Sequence, residues 1–245
     1  MSPKVLSPLT HSIMPITVVP AAPANLTAGE KRILSSVRDL YGNQSTEAFL
    51  YVQPRLRNQE PDFLILDPDR GACVLEVKDW GRSTIRSINR TRVQLNNDST
   101  TENPAFQTVR YHKLLEGLFE SEPALYDHQG ESSIRVHSRL LFSRLRADQA
   151  ADLQEVLDFH PTKVLFLESL GDLSLEDFFG QDLTPITQNQ LRAARSTLFP
   201  EILIRHQAKT QETHSLQEES ESEQIIKALD AEQETFAKAL PEGHY

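Results

Sequence analysis

The chain has 245 residues, of which 38% are hydrophobic, and it carries a formal net charge of −10. This length fits one large domain with appended segments, and the composition allows a hydrophobic core. The single cysteine, Cys73, excludes a disulfide framework and a multi-cysteine zinc site. Prolines interrupt the apolar residues near the N-terminus, and no apolar run is long enough to span a bilayer, so we expect a soluble cytoplasmic protein.

The charge is unevenly distributed along the chain. Residues 201–245 contain 4 Lys or Arg and 10 Asp or Glu, so more than half of the negative excess lies there. Overall acidity argues against a nucleic-acid partner, because phosphate binding depends on Lys and Arg. One segment is positively charged and contains no acidic residue. It is compatible with a row of phosphate-binding side chains or with an ordinary solvated face. Its arginines are Arg82, Arg86, Arg90 and Arg92.

The first elements follow from capping and turn residues. Residues 1–26 are rich in Pro, Ala, Ser and Thr and predict a flexible or loosely docked leader. Thr27 and Glu30 form a capping-box pattern that opens a helix ending at Gly42. Alternating and apolar runs then predict three strands, the last two joined by a turn at 67–71. These strands cover residues 48–52, 62–66 and 72–78.

The second half of the chain predicts an α/β domain with a mixed sheet. Asn103 and Pro104 mark the start of a helix that runs to about residue 119. The polar, acidic stretch 207–223 predicts a linker after a domain at 27–206, and a last helical segment follows at 224–245. The other predicted elements are a strand pair at 84–95, strands at 134–142 and 164–167, and helices at 147–158, 175–179 and 187–198.

The segment with the most chemical information is 61–80, which reads PDFLILDPDRGACVLEVKDW. If the turn is a three-residue loop, Asp67 faces Gly71 and, in the same register, Asp62 faces Glu76. Opposed residues on one sheet face have Cβ atoms about 4.5–5.5 Å apart. Lys78 is two residues beyond Glu76 and therefore lies on the same face, while Leu75 and Val77 point to the other.

This arrangement is suited to phosphodiester hydrolysis. Two facing carboxylates repel each other unless a cation intervenes, and Mg²⁺ is a hard ion that prefers oxygen ligands. Asp62 and Glu76 would bind it, with the backbone carbonyl of Val77 as a further ligand, and Lys78 would hold water or stabilise developing negative charge. The spacing alone is equally compatible with an exposed Glu76–Lys78 ion pair and an Asp62 that merely follows a proline.

Other candidate residues are fewer. Gln107 and Tyr111 are four residues apart on the predicted Pro104 helix, so they share a face. Gln107, together with Tyr111, would contact the nucleic-acid backbone or an active-site water, and Gln107 taken alone is at least as compatible with a bond to a neighbouring strand. Glu30 is explained by the capping box, and we keep it as a possible outer metal ligand. The eight histidines lack metal-ligand spacing and are expected at the surface, and Cys73 is expected in the core.

The residues of this segment carry a family resemblance. The run PDFLILDPDRGACVLEVKDWG resembles the nuclease-related domain (NERD) family of the PD-(D/E)xK restriction-endonuclease-like superfamily. The GEKRIL helix and the NPAFQTVRYHKLL segment extend the resemblance over roughly 27–170, and Gln107 with Tyr111 resembles a RecB-like Gln-xxx-Tyr pattern. The resemblance implies a mixed central sheet flanked by helices. It also implies Mg²⁺- or Mn²⁺-dependent DNA cleavage with Asp62, Glu76, Lys78 and Gln107 as catalytic groups.

The end of the chain resembles a different family. The run IIKALDAEQETFAKALPEGHY is similar to the opening of superfamily-1, UvrD-like helicases, which implies that Gln233 reads the adenine of ATP in a longer nuclease–helicase protein. Gln233 is equally compatible with a solvated position on an amphipathic helix. No P-loop is present, so no ATPase activity is expected from these residues. The alternative function is a noncatalytic module that binds DNA or the helicase.

Overall fold

A computed structural model describes residues 16–199, apart from residues 21, 24, 43 and 45. Its strands are β1 (Ile16–Val19), β2 (Ala48–Val52), β3 (Phe63–Asp67), β4 (Gly71–Lys78), β5 (Ile85–Ile88), β6 (Arg92–Leu95), β7 (Thr100–Glu102), β8 (Val136–Phe142) and β9 (Thr162–Leu165). Its α-helices are α1 (Ala28–Tyr41), α2 (Pro104–Glu120), α3 (Gln154–Leu157), α4 (Leu175–Phe179) and α5 (Gln188–Leu198). Short 3-10 helices lie at Arg82–Thr84, Pro123–Leu125, Asp148–Ala150 and Leu167–Gly171.

The main sheet has six strands in the order β1-β2-β3-β4-β8-β9. Strands β2, β3 and β4 form an antiparallel meander, whereas β1 pairs parallel with β2, and β8 pairs parallel with both β4 and β9. Helices cover both faces, as the parallel pairs require. The prediction of an α/β fold with a mixed central sheet flanked by helices is confirmed.

The turn between β3 and β4 sets the register that the sequence predicted. Asp67 faces Gly71 across a three-residue loop, and Phe63 faces Leu75 at the far end of the hairpin. Gly71 has a φ of +100°, and a Cβ there would lie 2.3 Å from the carbonyl oxygen of Arg135. A residue without a side chain is therefore required at this position.

Alternation along the strands divides the core into two layers. Leu75 and Val77 of β4 belong to the layer that contains α1 and α4. Val74 belongs to the opposite layer, which contains α2 and α5. The predicted separation of Leu75 and Val77 from the face of Glu76 and Lys78 is confirmed, since the two pairs alternate along the strand.

A second, smaller sheet has the order β5-β6-β7. Ile85 and Val93 pack from this sheet onto Leu140 and Phe142 of β8. The sequence predicted a strand pair at 84–95, but the polar strand β7 was missed because Thr100–Glu102 shows no apolar alternation. This small sheet therefore covers the main sheet beyond the end of β4.

Two predicted segments differ from the structure. The predicted leader includes β1, because the β-branched run Ile16–Val19 pairs with β2. The helix predicted at 147–158 is instead a 3-10 turn followed by the single turn of α3. Bonds between residues three apart keep Ala150 and Leu153 on the buried side, which suits 3-10 geometry.

The remaining helix predictions agree with the structure. Thr27 caps α1 with Glu30 in a capping box, and Gly42 ends the helix. Asn103 caps α2, whose first residue is Pro104. No helix among residues 16–199 is both long and apolar enough to cross a membrane. The linker predicted at 207–223 and the segment at 224–245 lie outside the described residues.

Candidate active site

A pair of carboxyl groups lies where β3 begins and β4 ends. Asp62 directly precedes β3, and continuation of the hairpin register places it opposite Glu76. Asp62 Oδ2 accepts a hydrogen bond of 2.6 Å from the backbone N–H of Val77. This contact fixes Asp62 beside Glu76, as the turn geometry predicted.

Both carboxyl groups resist ionisation. Burial and, after it, the neighbouring charge of Glu76 raise the pKa of Asp62 from 3.8 to about 8. Burial also raises the pKa of Glu76, against the opposing effect of the Lys78 ammonium. Glu76 is only 2% exposed. Such a pair favours a cation, because a positive charge would offset both the desolvation and the mutual repulsion.

Glu76 has one oxygen without a partner. Its Oε1 accepts a hydrogen bond from Lys78 Nζ, while its buried Oε2 has no hydrogen-bond partner within the described part of the chain. Lys78 Nζ also lies 5.9 Å from the centre of the Trp80 ring, which holds the ammonium close to the carboxylate by a cation–π contact. A buried, unpaired carboxylate oxygen is costly and requires an explanation such as a bound ion.

The backbone carbonyl of Val77 points toward the same space. A β-strand residue directs its N–H and C=O to the same neighbouring strand. The N–H of Val77 bonds to Asp62, so its carbonyl points toward Asp62 as well. Strand β3 pairs with β4 only as far as Leu75, which leaves this carbonyl beyond the end of the β3 ladder.

Glu30 lies near the pair but is partly engaged. It is 6% exposed, and its Oε2 accepts a 2.9 Å bond from the backbone N–H of Thr27. Its negative charge contributes to the raised pKa of both Asp62 and Glu76. Among residues 16–199, no three His, Cys, Asp or Glu side chains lie close enough together to hold a metal ion. The two carboxyl groups that lie side by side here are therefore those of Asp62 and Glu76.

Asp79 joins three elements at this end of the sheet. Its Oδ2 accepts a 3.0 Å bond from the backbone N–H of Gly29, and its Oδ1 accepts a short bond from Ser143 Oγ. Burial would raise the pKa of Asp79, but these hydrogen bonds outweigh it and hold the pKa low. The N-terminus of α1, and with it Glu30, is thereby anchored to β4. The sequence prediction missed Asp79, Gly29 and Ser143, whose contacts join residues far apart in the chain.

Gln107 and Tyr111 support the segment that carries Asp62. Gln107 Nε2 donates to Tyr111 OH, which confirms that both residues share one face of α2. The Tyr111 hydroxyl lies 3.5 Å from the carbonyl oxygen of Glu60. Tyr111 is 3% exposed, and its pKa is raised by burial and by the charges of Glu76 and Asp62. It therefore lies beneath the site rather than at the surface.

The four predicted phosphate-binding arginines are dispersed over the small sheet and its connections. Arg82 pairs with Asp152 at 2.8 Å, and Arg86 pairs with Asp98 at 2.7 Å. Arg90 lies 5.5 Å from the Phe159 ring, and Arg92 is exposed. The acidic partners of Arg82 and Arg86 lie outside the arginine-rich segment. The lack of acidic residues within that segment therefore did not mean that all four arginines are unpaired.

The remaining candidates lie away from the carboxyl pair. Cys73 is buried in the core as predicted, and burial raises the pKa of its thiol to about 12. The prediction that every histidine is a surface group is wrong for His112, which is 5% exposed because it faces the core side of α2. Gln233 lies outside the described residues.

Comparison with known families finds one match. The sequence model of the nuclease-related domain (NERD) family matches residues 26–143. The matched range contains α1 with Glu30, the Asp62–Glu76–Lys78 hairpin, and α2, and it ends at Ser143. Residues 26–143 are therefore similar to a nuclease-related domain. No curated protein and no solved structure matches the chain.

Proposed function

We propose that the nuclease-related domain at residues 26–143 hydrolyses phosphodiester bonds of DNA with a divalent cation, Mg²⁺ or Mn²⁺. The observation that carries this proposal is the pair of half-buried Asp62 and buried Glu76, in which Glu76 Oε2 has no hydrogen-bond partner among residues 16–199. A surface ion pair would not bury a carboxylate to 2% exposure and leave one of its oxygens unpaired.

The residues present fit a hard cation. Asp62, Glu76 and the carbonyl of Val77 are all oxygen donors, and Mg²⁺ in proteins is held by one or two carboxylates while water and substrate phosphate complete its coordination. When bound, the ion would supply charge neutralisation at the phosphoryl oxygens and lower the pKa of a bound water. The small number of protein ligands is therefore compatible with this chemistry. Glu30 remains a proposed outer ligand.

The protein's own residues have distinct roles in this proposal. Lys78 provides the positive charge that stabilises negative charge developing on the phosphate, because its Nζ is already held beside Glu76. The hydrogen bond from the Val77 N–H keeps the Asp62 carboxyl group oriented toward Glu76. Gln107 acts through Tyr111 and Glu60 and so positions the segment before Asp62.

The test is cleavage of end-labelled single- and double-stranded DNA with Mg²⁺ or Mn²⁺, comparing wild type with Lys78→Ala. Lys78→Ala is expected to lower the cleavage rate by roughly 10²–10³-fold, which is the usual effect of removing one group that stabilises negative charge in the transition state. Lys163→Ala is the matched control, since Lys163 lies on β9 of the same sheet, is half exposed and pairs with Asp177 at 3.1 Å. The control is expected to cut at the wild-type rate.

The same experiment separates the alternatives. If the wild type binds DNA but neither protein cuts it with either metal, the noncatalytic DNA-binding function replaces this proposal. Cleavage that is equal in wild type and Lys78→Ala would contradict the role given to Lys78. Association with a helicase domain, and adenine recognition by Gln233, rest on the resemblance of residues outside the described range and are proposed on that ground alone.

A further inference from the structure

A cleft of about 660 Å³ lies beside the candidate active site, just beyond the ends of β4 and β8. Ile85 forms its apolar wall. Its other lining residues include two arginines and three uncharged polar side chains but no carboxylate, and they are Gly81, Arg82, Ser83, Asn96, Arg144 and Gln149.

Backbone contacts fix the cleft next to Lys78. Phe142 faces Lys78 in the β4–β8 pairing, and the N–H of Ser143 donates to the carbonyl of Lys78 at 3.0 Å. Arg144 is the next residue. A Cβ on Gly81 would lie 3.5 Å from the carbonyl oxygen of Arg144, so the two chain segments run side by side. Because Gly81 is three residues beyond Lys78, their Cα atoms are at most about 11 Å apart.

The guanidinium of Arg144 is available to a ligand. Arg144 is exposed, and within residues 16–199 it has neither an ion pair nor a side-chain hydrogen bond, although its charge helps to lower the pKa of Asp79. Arg146 contrasts with it, since its Nε lies 3.3 Å from Asp148 and 3.4 Å from Glu168. Gln149 accepts a bond through Oε1 from the N–H of Arg146, which leaves its amide NH₂ as a donor. Arg82 is already paired with Asp152, so the positive charge of the cleft comes mainly from Arg144, with the Gln149 amide as a further donor.

We propose that this cleft binds a backbone phosphate of the nucleic acid, close to the phosphodiester held at Asp62 and Glu76, with Arg144 as the main contact. Phosphate accepts hydrogen bonds from a guanidinium fork and from amide and hydroxyl donors, and the lining lacks the oxygen anions that a cation would need. A phosphate contact beside the reacting centre sets the register of the strand without reading its sequence. The inference rests on the proposed function for the position of the cleaved bond.

The test compares Arg144→Gln with Arg146→Gln in the full 245-residue chain. Both substitutions remove one positive charge, and their positions are two residues apart. Binding of fluorescein-labelled single-stranded and duplex DNA is followed by anisotropy with EDTA present, so that cleavage does not interfere. Arg144→Gln is expected to weaken DNA binding severalfold. Raising the salt from about 50 to about 200 mM should also weaken DNA binding by the variant about threefold less than it weakens binding by wild type, because the variant makes one phosphate contact fewer. Arg146→Gln should keep the wild-type values.

The outcomes separate this inference from the proposed function. Equal losses in both variants would indicate general charge attraction and overturn the site, as would an unchanged Arg144→Gln variant or a wild type without affinity for DNA. If binding depends on Arg144 but no strand is cut with Mg²⁺ or Mn²⁺, the cleft assignment stands and the nuclease proposal fails.

Discussion

The two sheets of this protein place charged groups in opposite environments. At the end of the six-stranded sheet, Glu76 is 2% exposed and faces Asp62, and burial raises the pKa of both. On the three-stranded sheet, the side chains of Arg86 and Asp98 pair while 55% and 80% exposed. Exposed pairs contribute little to stability, whereas a buried, incompletely paired charge is costly. The buried carboxyl group is therefore the candidate for a ligand site, and the exposed pair is not.

The largest effect is expected from neutralising Asp62, the half-buried partner of Glu76. Asp62→Asn keeps an oxygen that accepts from the Val77 N–H but removes the charge. Without metal, the free energy of unfolding of the variant should be roughly 1–3 kcal/mol higher than that of wild type, because the variant no longer carries a desolvated carboxyl group. Mg²⁺ at about a hundredfold excess over its Kd should stabilise wild type by about 2.7 kcal/mol and the variant far less. Denaturant unfolding with and without Mg²⁺ measures both.

The control for this experiment is Asp182→Asn, because Asp182 is 77% exposed and pairs with Arg135. It should leave both the metal-free stability and the Mg²⁺ effect unchanged. An unaltered Mg²⁺ effect in Asp62→Asn would show that Asp62 is not a metal ligand.

A smaller but clear effect is expected where α1 approaches β4. A Cβ on Gly29 would lie 2.0 Å from Asp79 Oδ1 and 2.9 Å from Ser143 Oγ. Gly29→Ala should therefore displace Asp79 and lower the free energy of unfolding by about 1–3 kcal/mol, as overpacking does. Chemical denaturation measures this change.

Gly117→Ala is the matched control for Gly29→Ala. Gly117 lies within α2, and a Cβ there would meet no atom within 4 Å. Alanine is favoured over glycine inside a helix, so this variant should be more stable by up to about 1 kcal/mol. If both variants shift in the same direction, the contact at Asp79 does not determine the outcome.

A third prediction extends the comparison to a histidine of the main sheet. Burial, with the charges of Arg139 and Arg135, lowers the pKa of His137 from 6.5 to about 4. Between these values the unfolded chain binds a proton that the folded protein excludes, so the free energy of unfolding should fall as pH drops from 6.5 toward about 4. Urea unfolding of wild type and His137→Gln across this range measures the effect, and the variant should lose less stability. If the free energies of unfolding of the two proteins fall equally with pH, the role given to His137 is wrong. His128 is exposed, so the control variant His128→Gln should show the same pH dependence as wild type.

The smallest effects are expected on the three-stranded sheet. Arg86 has Asp98 as a partner, whereas Arg92 has no side-chain ion pair among residues 16–199. Arg92→Gln should therefore weaken DNA binding more than Arg86→Gln, with each change below about threefold, and stability should change by less than about 0.5 kcal/mol. Anisotropy at low salt measures the difference. A larger loss for Arg86→Gln would show that the pair with Asp98 opens on binding.

The sequence predicted features that depend on short-range pattern. The facing of Asp62 and Glu76 follows from a three-residue turn and strand alternation, and the α1 capping box follows from Thr27 and Glu30. Gln107 and Tyr111 share a face because four residues make about one helical turn. In each case the partners are at most fifteen residues apart.

Contacts between distant segments were not predictable in this way. Nothing in the local pattern around Asp79 indicates that it binds Gly29, 50 residues earlier, or Ser143, 64 residues later. The same applies to Arg82 and Asp152, which are 70 residues apart. The strand β1 was also missed, because its pairing with β2 depends on an edge of the sheet that the sequence does not mark.

The contacts of Ser143 also bear on when the site forms during synthesis. The hairpin that pairs Asp62 with Glu76 closes a short loop and can form early, since local contacts have a low entropic cost. Asp79 and Lys78 receive their bonds from Ser143 only after β8 has been made and has docked in parallel beside β4. Ser143 is also the last residue of the matched nuclease-related domain. A nascent chain would thus hold both carboxylates well before it could anchor the elements around them.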